Sequence, residues 1–450
     1  MRSKYLLSAL VLLLGITFFA VSGWTEEILT LDSSIELALK NSSVINIAKE
    51  GAKSAVARKK EAFTGFLPKF STSYYYQYLN DQPSMIFPGV PPAIPASTII
   101  LGTQNNYNWV TEVKQPLFTG GGILANYQAS KIGEDIAMLE VEASRQDVVR
   151  EVTIAYFDIL RSQKILETAQ QSVAMLTAHR ERAQNYFKVG MIPKNDLLHA
   201  EVELANGRQS LTKAANAVEM AKSHMNIVLR RSIAAPVRVE DNLVYRPLGS
   251  SLAECLETAA KRRPEVKISE LKAAQAGKIV RAAQSEYLPT LSALGNYSRY
   301  GDDFSVSGSN YKNMESWYIM AVASWNFWEW GKTKHKVDAG KSRENQALEA
   351  AKELNDQITL EIKGAYLNMR EAEAQITVSG KVIEQAEENY RIAEERFQER
   401  VATTTEVLDA QTLLTKAKAQ YANALADYNI SGARLQRAMG TIGKQAGSED

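Results

Sequence analysis

The chain has 450 residues, a formal net charge of +1 at pH 7 and 23% charged residues. This balance lacks the basic excess of nucleic-acid-binding proteins, and the single cysteine, Cys255, excludes an intramolecular disulfide framework. Long stretches rich in Ala, Glu, Lys, Gln and Leu predict a mainly α protein with a small β part and with long or coiled-coil helices.

The N-terminal segment has the pattern of a secretory signal peptide. Arg2 and Lys4 precede a largely apolar run over residues 5–21, and small residues follow before the first acidic ones. We therefore expect residues 1–23 to be a signal peptide. The alternative is an N-terminal membrane anchor, for which the run is at the short limit of spanning length. Because no later apolar stretch reaches that length, a mature protein that crosses a membrane must do so as a barrel of strands.

The rest of the chain is an internal duplication. Pro68 aligns with Pro289 at an offset of 221, and Gly121 aligns with Gly331 at an offset of 210. The first copy therefore has about eleven additional residues between these two points. Each copy has the pattern of a helix, two strands, a very long helix, a turn and a final helix.

The alignment sets the predicted boundaries. Residues 24–230 form the first repeat and 252–440 the second, with a linker at 231–251 and a flexible tail at 441–450. The first repeat is predicted to contain strands 69–80 and 105–118, a long helix 122–188 and a helix 194–230. The second is predicted to contain strands 290–300 and 316–328, a long helix 332–399 and a helix 403–440.

The long helix of each copy has a seven-residue apolar repeat. This spacing predicts a left-handed coiled coil, whereas the alternative is an amphipathic helix on a globular core. Ordinary globular helices average about a dozen residues, and the predicted length favours the coiled coil. In the second copy the repeated positions are Ile362, Met369, Ile376, Ile383, Tyr390 and Phe397.

The predicted strands alternate between apolar and polar residues. Aromatic side chains recur on one face, for example Tyr74 and Tyr76 in the first strand. Such strands are typical of a transmembrane barrel, although a soluble antiparallel sheet alternates in the same way. Four strands cannot close a barrel, so crossing a membrane would require an oligomer. The proline-containing segment 81–104 between the first two strands predicts an irregular external loop or a lid.

The tripeptide Gly331, Lys332, Thr333 resembles the end of a phosphate-binding loop. That motif needs a second glycine five positions earlier, where this chain has Asn326. Gly121 occupies the equivalent place in the first copy, so both glycines are predicted to mark a strand-to-helix turn.

The order of these features resembles the TolC-like outer-membrane efflux proteins. The resemblance rests on the duplication, on Leu-Pro before each first strand, on "QPLFTGGG" after a second strand and on "EVLDAQTLL" after the long helix. It implies a homotrimer with a twelve-stranded β-barrel in the outer membrane, in contact with its lipid, continued by a long α-helical coiled-coil barrel through the periplasm. It also implies a periplasmic adaptor protein and an inner-membrane pump or ABC transporter as partners.

The resemblance also implies the functional residues. Acidic residues in the stretch that follows the long helix ring the pore constriction of this family, and here they are Glu406 and Asp409, with Asp196 in the first copy. The alternative is that they are acids stabilised by the dipole of a helix N-terminus. A tyrosine and an arginine that lock the tip elsewhere correspond here to Phe397 and Ala402. The expected adaptor contacts are Gly190, Met191, Ile192 and Pro193 in one turn and Val401, Ala402, Thr403 and Thr404 in the other.

The sequence gives no indication of an enzyme. Its four histidines are scattered without the spacing of metal ligands, so we expect no catalytic residue, metal or cofactor. We expect a passive trimeric exit duct of a tripartite efflux or type I secretion system, in the outer membrane and extending into the periplasm. The alternative is a structural periplasmic coiled-coil protein that bridges envelope components without conducting.

Overall fold

The computed structural model of the chain describes residues 28–247 and 249–443. The expected signal peptide and the last part of the expected tail, 444–450, lie outside these residues. The helices are α1 Leu31–Asn41, α2 Ser43–Thr64, α3 Gly122–Lys188, α4 Lys194–Val228, α5 Leu252–Arg262, α6 Pro264–Gln284, α7 Lys332–Gln398 and α8 Thr404–Ala438. The strands are β1 Ile28–Leu29, β2 Lys69–Tyr78, β3 Ser84–Phe87, β4 Ser97–Ile100, β5 Asn105–Phe118, β6 Arg238–Val239, β7 Thr290–Gly301 and β8 Glu315–Ser324.

The first helix of each repeat is broken in two, which differs from the single helix expected from the sequence. In the second repeat the break falls at Arg263, whose extended backbone (φ −75°, ψ 121°) precedes Pro264. The proline ring disfavours a helical conformation for the residue before it, and proline itself is well suited to the first position of a new helix. In the first repeat the break is at Ser42, whose amide donates to the Ala38 carbonyl at 2.8 Å.

Four strands form one antiparallel sheet in the order β2-β5-β7-β8. A row of paired residues crosses the sheet through Thr72, Thr111, Tyr297 and Trp317. Strands β2 and β8 are the two edges, and the side chains of β2 are exposed along its whole length.

Two predicted strands end earlier than expected. The strand expected over 316–328 stops at Ser324, which pairs with Thr290. The residue before Thr290 is Pro289, which has no amide hydrogen to continue the ladder. The strand expected to reach residue 80 ends at Tyr78, opposite Asn105, the first residue of β5.

The segment 81–104 contains a small hairpin, contrary to the irregular loop expected from its prolines. Strands β3 and β4 pair antiparallel from Ser84 opposite Ile100 to Phe87 opposite Ser97. The prolines at positions 88, 91, 92 and 95 lie in the connection between the two strands. They therefore interrupt no ladder hydrogen bond.

The predicted linker 231–251 includes an ordered strand. Its β6 pairs in parallel with β1, with Ile28 opposite Arg238. The hydroxyl of the fully buried Tyr156 donates to the Glu240 carbonyl at 2.8 Å and also lies 3.3 Å from the Leu29 carbonyl oxygen. Burial raises the pKa of Tyr156 to about 12, so the hydroxyl keeps its proton and ties α3 to both short strands.

The chain divides into two compact units, each built from both repeats. Of the described residues, one unit contains 28–43, 146–255 and 362–443, and the other contains 44–145 and 256–361. In the first unit the seven-residue repeat lies in the core, since Ile362, Met369 and Phe397 are buried. Among the described residues, no helix combines the length and apolar character that crossing a bilayer requires.

Candidate functional site

The candidate site is the pair of turns that end the two long helices, both in the first unit. In the turn between α3 and α4, Gly190 has the left-handed φ of 75°. Its amide donates to the Phe187 carbonyl at 2.9 Å, and the Met191 amide donates to the Tyr186 carbonyl at 2.8 Å. This pair of hydrogen bonds satisfies carbonyls that the end of the helix would otherwise leave without a partner.

The turn between α7 and α8 has the same backbone without a glycine. Arg400 has a φ of 65°. Its amide donates to the Phe397 carbonyl at 3.1 Å, and the Val401 amide donates to the Arg396 carbonyl at 2.8 Å. Because a side chain in this conformation crowds its own backbone, the second turn is held in place at a conformational cost that the first avoids.

Most of the residues expected to contact an adaptor lie at the surface of the turns. Met191 is 48% exposed and Val401 63% exposed, and the neighbouring Val189 is 64% exposed. The Tyr186 hydroxyl donates to the Gln398 carbonyl at 3.5 Å and links the ends of the two long helices. Exposed apolar side chains of this size at both turns are typical of an interaction surface. Gly190, Pro193 and Thr403 are also exposed, whereas Ile192 and Ala402 are partly buried.

Thr404 does not fit the expectation of an adaptor contact, because its side chain is buried in this chain. It is the first residue of the buried stripe of α8, which continues through Val407, Leu408 and Gln411. This spacing of three, four and seven residues keeps all four on one helix face. Closeness to the turn in the sequence is therefore a poor guide to exposure here, because the helix period decides which way the Thr404 side chain faces.

Glu406 is part of a helix cap. Its Oε1 accepts a hydrogen bond from the Thr403 amide at 3.2 Å, and its own amide donates to Thr403 Oγ1 at 3.3 Å. This is a reciprocal capping box. Its Oε2 also lies 3.4 Å from Arg396 Nη1. Glu406 therefore has the role at the helix N-terminus that was the alternative to a pore constriction. Its carboxylate nevertheless remains exposed.

The other two predicted pore acids have fewer contacts. Asp409 is exposed one turn further along α8, and Asp196 is half-buried in the first turn of α4, where its amide donates to the Pro193 carbonyl at 3.2 Å. Within the residues that the structure describes, no hydrogen bond or ion pair joins Asp196 to Glu406 or Asp409.

A polar cluster between α3 and α7 near the turns was missed from the sequence. Arg182 Nη1 lies 2.6 Å from Glu394 Oε1, and His179 Nδ1 lies 4.0 Å from Glu394 Oε2. The ring of His179 packs against that of Phe397 with centroids 4.8 Å apart. His179 and Arg182 lie three residues apart on α3, and Glu394 and Phe397 lie three residues apart on α7. A search for metal-ligand spacing does not detect this pattern.

His179 is neutral in this cluster. It is 2% exposed, and among the described residues neither ring nitrogen has a hydrogen-bond partner. Burial, followed by the charge of Arg182, lowers its pKa to about 4. The imidazole therefore packs as an uncharged ring beside a partly buried ion pair that joins the two long helices.

The strand-to-helix turns lie in the second unit. Gly121 and Gly331 have φ values of 86° and 80° and accept the first hydrogen bonds of α3 and α7 from Ala125 and His335. Lys332, the first residue of α7, places its Nζ 3.1 Å from Glu329.

Comparison with known proteins gives a consistent result. A family model described as outer membrane efflux protein matches residues 34–225 and 255–441. The chain is 25% identical to CyaE of Bordetella pertussis, over 76% of this chain and 72% of that protein. It is 22% identical to TolC of Escherichia coli, over 68% of this chain and 63% of that protein.

The solved structures show the same fold. The Campylobacter jejuni CmeC outer membrane channel superposes with a TM-score of 0.78 at 19% identity, covering 93% of this chain and 87% of CmeC. The family is one of transport channels rather than enzymes. The chain belongs to the outer membrane efflux protein family, and as a member it is an efflux channel protein of the cell outer membrane that extends into the periplasm.

Proposed function

We propose that the chain is the outer-membrane channel subunit of a tripartite efflux or type I secretion system. In this role it forms a passive trimeric exit duct across the periplasm and the outer membrane. The duct performs no catalysis and uses no cofactor, because the inner-membrane pump or ABC transporter supplies the energy.

The observation that carries the proposal is the sheet with two open edges. Among the strands that the structure describes, β2 and β8 each have one side without a neighbour. An edge of this length invites pairing with another chain. Three copies that pair β8 with β2 would supply the twelve strands of a closed barrel, in keeping with the even strand numbers of outer-membrane barrels.

Exposed apolar side chains on α7 support a contact between copies in the helical part. Leu360 and Val378 are more than half exposed in the single chain, as is Leu367. A long helix with large apolar side chains on its outer face is stabilised when a second helix covers them. A homotrimer with adjacent long helices would bury these positions.

The two turns are the proposed adaptor surface and the proposed constriction. The exposed Val189, Met191 and Val401 would contact the adaptor. Three copies of the second turn would bring together the carboxylates of Glu406 and Asp409, with Asp196 beside them. Such a ring attracts cations and repels anions. Asp409 is the stronger candidate, because the Glu406 carboxylate is already engaged by Thr403 and Arg396.

The test is planar-bilayer conductance of the purified oligomer, after its mass has been measured by light scattering. We expect a trimer with a small, cation-selective conductance that increases and loses selectivity in Asp409→Asn. Glu219→Gln, an exposed acid on α4, is the matched control and should leave selectivity unchanged. A well-folded trimer without conductance would favour the structural bridging protein instead, and an unaltered selectivity in Asp409→Asn would remove the acidic ring.

A further inference from the structure

The segment where β8 ends and α7 begins carries the most exposed aromatic cluster of the second unit. Trp330 is 86% exposed, and Phe327, Trp328 and Trp325 are also more than half exposed. The rings contact one another in pairs, Trp325 with Phe327 and Trp328 with Trp330. Single exposed aromatic residues are common, but a contiguous patch of this kind marks an interaction surface.

Trp330 is held in this patch by an unfavourable backbone. Its φ is 52°, in the left-handed region that disfavours residues with a side chain. The equivalent residue of the first repeat is Gly120, with a φ of 60°. The same turn is therefore built with a glycine in one repeat and a tryptophan in the other. A strained residue whose side chain makes little contact with its own chain indicates a role for that side chain outside the chain.

Positive charge lies directly beside the aromatic rings. Lys332, Lys334 and Lys336 follow within one turn of α7. Lys332 pairs with Glu329 at the surface and Lys336 pairs with Glu286. Lys334 is exposed and makes no ion pair within the described part of the chain. The equivalent first-repeat segment, 115–126, contains neither tryptophan nor lysine, so the patch belongs to one repeat only.

We propose that this aromatic–basic patch, Trp325 to Lys336, is a binding site for anionic phospholipid headgroups. Indole rings combine an apolar body with one polar N–H, which favours the boundary between acyl chains and water. Lysines next to that boundary attract lipid phosphates. The patch follows directly on β8, so it lies at this boundary if the strands enter the outer membrane, and in that respect the proposal rests on the proposed function.

The experiment uses the full-length protein in nanodiscs made with brominated phosphatidylcholine or brominated phosphatidylglycerol. Tryptophan fluorescence is compared between wild type and Trp330→Gly, and the difference is the signal of Trp330. Glycine suits the backbone here, as Gly120 shows, so the variant should fold. We expect the Trp330 signal to be quenched by brominated lipid and more strongly by phosphatidylglycerol. Lys334→Gln should reduce that preference about fivefold.

Three results would overturn the proposal. Quenching of Trp330 by aqueous iodide rather than by brominated lipid would place the ring in water. Protection from both quenchers would place it against another protein surface. Equal quenching by the two lipids would remove the anionic preference and with it the headgroup site. Planar-bilayer conductance of the same purified proteins separates the two proposals, because Trp330→Gly leaves the turns at the other end of α7 unchanged. A conducting channel in which brominated lipid does not quench Trp330 would contradict only the lipid site.

Discussion

Gly190 and Arg400 occupy the same position of the two duplicated turns and have nearly the same left-handed φ, 75° and 65°. The hydrogen bonds around them match as well. The backbone of this turn is therefore independent of the glycine that normally permits it. The two positions give a direct comparison of the same conformation with and without a side chain.

Replacing Arg400 by glycine is expected to stabilise the second turn. The relief of left-handed strain should contribute about 1 kcal/mol to local stability. Hydrogen exchange of the amides at the end of α7 would measure it as slower local opening. Gly190→Ala is the matched variant and should destabilise its turn by a similar amount. If Arg400→Gly instead opens the turn more readily, the arginine side chain contributes more than the strain costs.

His179 should make the region near the turns sensitive to acid. Its pKa is about 4 in the folded protein and about 6.5 when unfolded. Its contribution to stability is therefore complete above pH 6.5 and is lost as the pH falls through about 4, with about 2 kcal/mol lost at pH 5. Hydrogen exchange of α3 and α7 between pH 7.5 and 5 would detect the loss.

The variant His179→Leu should abolish this pH dependence and keep the packing against Phe397. His199→Gln, an exposed histidine on α4, is the control and should behave as wild type. Protection factors, which divide out the intrinsic pH dependence of exchange, are the quantity to compare. A wild-type protection factor that does not change with pH would mean that Arg182 and Glu394 compensate for the charge on His179.

Removing one partner of the ion pair between Arg182 and Glu394 should destabilise the protein more than removing both. Glu394 is mostly buried, so Glu394→Gln would leave the Arg182 charge poorly compensated and destabilise the helix pair by about 2 kcal/mol. Replacing both residues by methionine should cost much less, because no uncompensated charge remains. A double-mutant cycle of Arg182→Met, Glu394→Met and the double variant, followed by thermal stability, would measure the coupling. Additive single effects would show that the pair contributes nothing specific.

The two possible roles of Glu406 can be separated by two substitutions. Glu406→Gln keeps a side chain that suits a capping box and removes the charge. It should leave stability nearly unchanged, and it lowers cation selectivity only if the carboxylate faces the pore. Thr403→Ala should cost about 1 kcal/mol by removing the cap and leave selectivity unchanged. Unchanged cation selectivity in Glu406→Gln would restrict this residue to the cap.

The sequence by itself determined the elements whose signal is local. The long helices α3 and α7 follow from the absence of proline and from an unbroken seven-residue repeat. The turn glycines Gly121 and Gly331 follow from the duplication and have the left-handed backbone that their positions require. These features depend on residues close together in the chain, so their pattern can be recognised without a partner.

Only the tertiary structure decided the features that depend on distant partners. Strand β8 stops at Ser324, opposite Thr290, because Pro289 directly before Thr290 has no amide hydrogen to continue the pairing. Thr404 is buried on the same face of α8 as Val407, which packs in a core cluster with Phe397 of α7. His179 and Glu394 meet across two helices more than 200 residues apart in the chain. Burial and cross-helix contact depend on which surfaces face each other, and a local pattern does not contain that information.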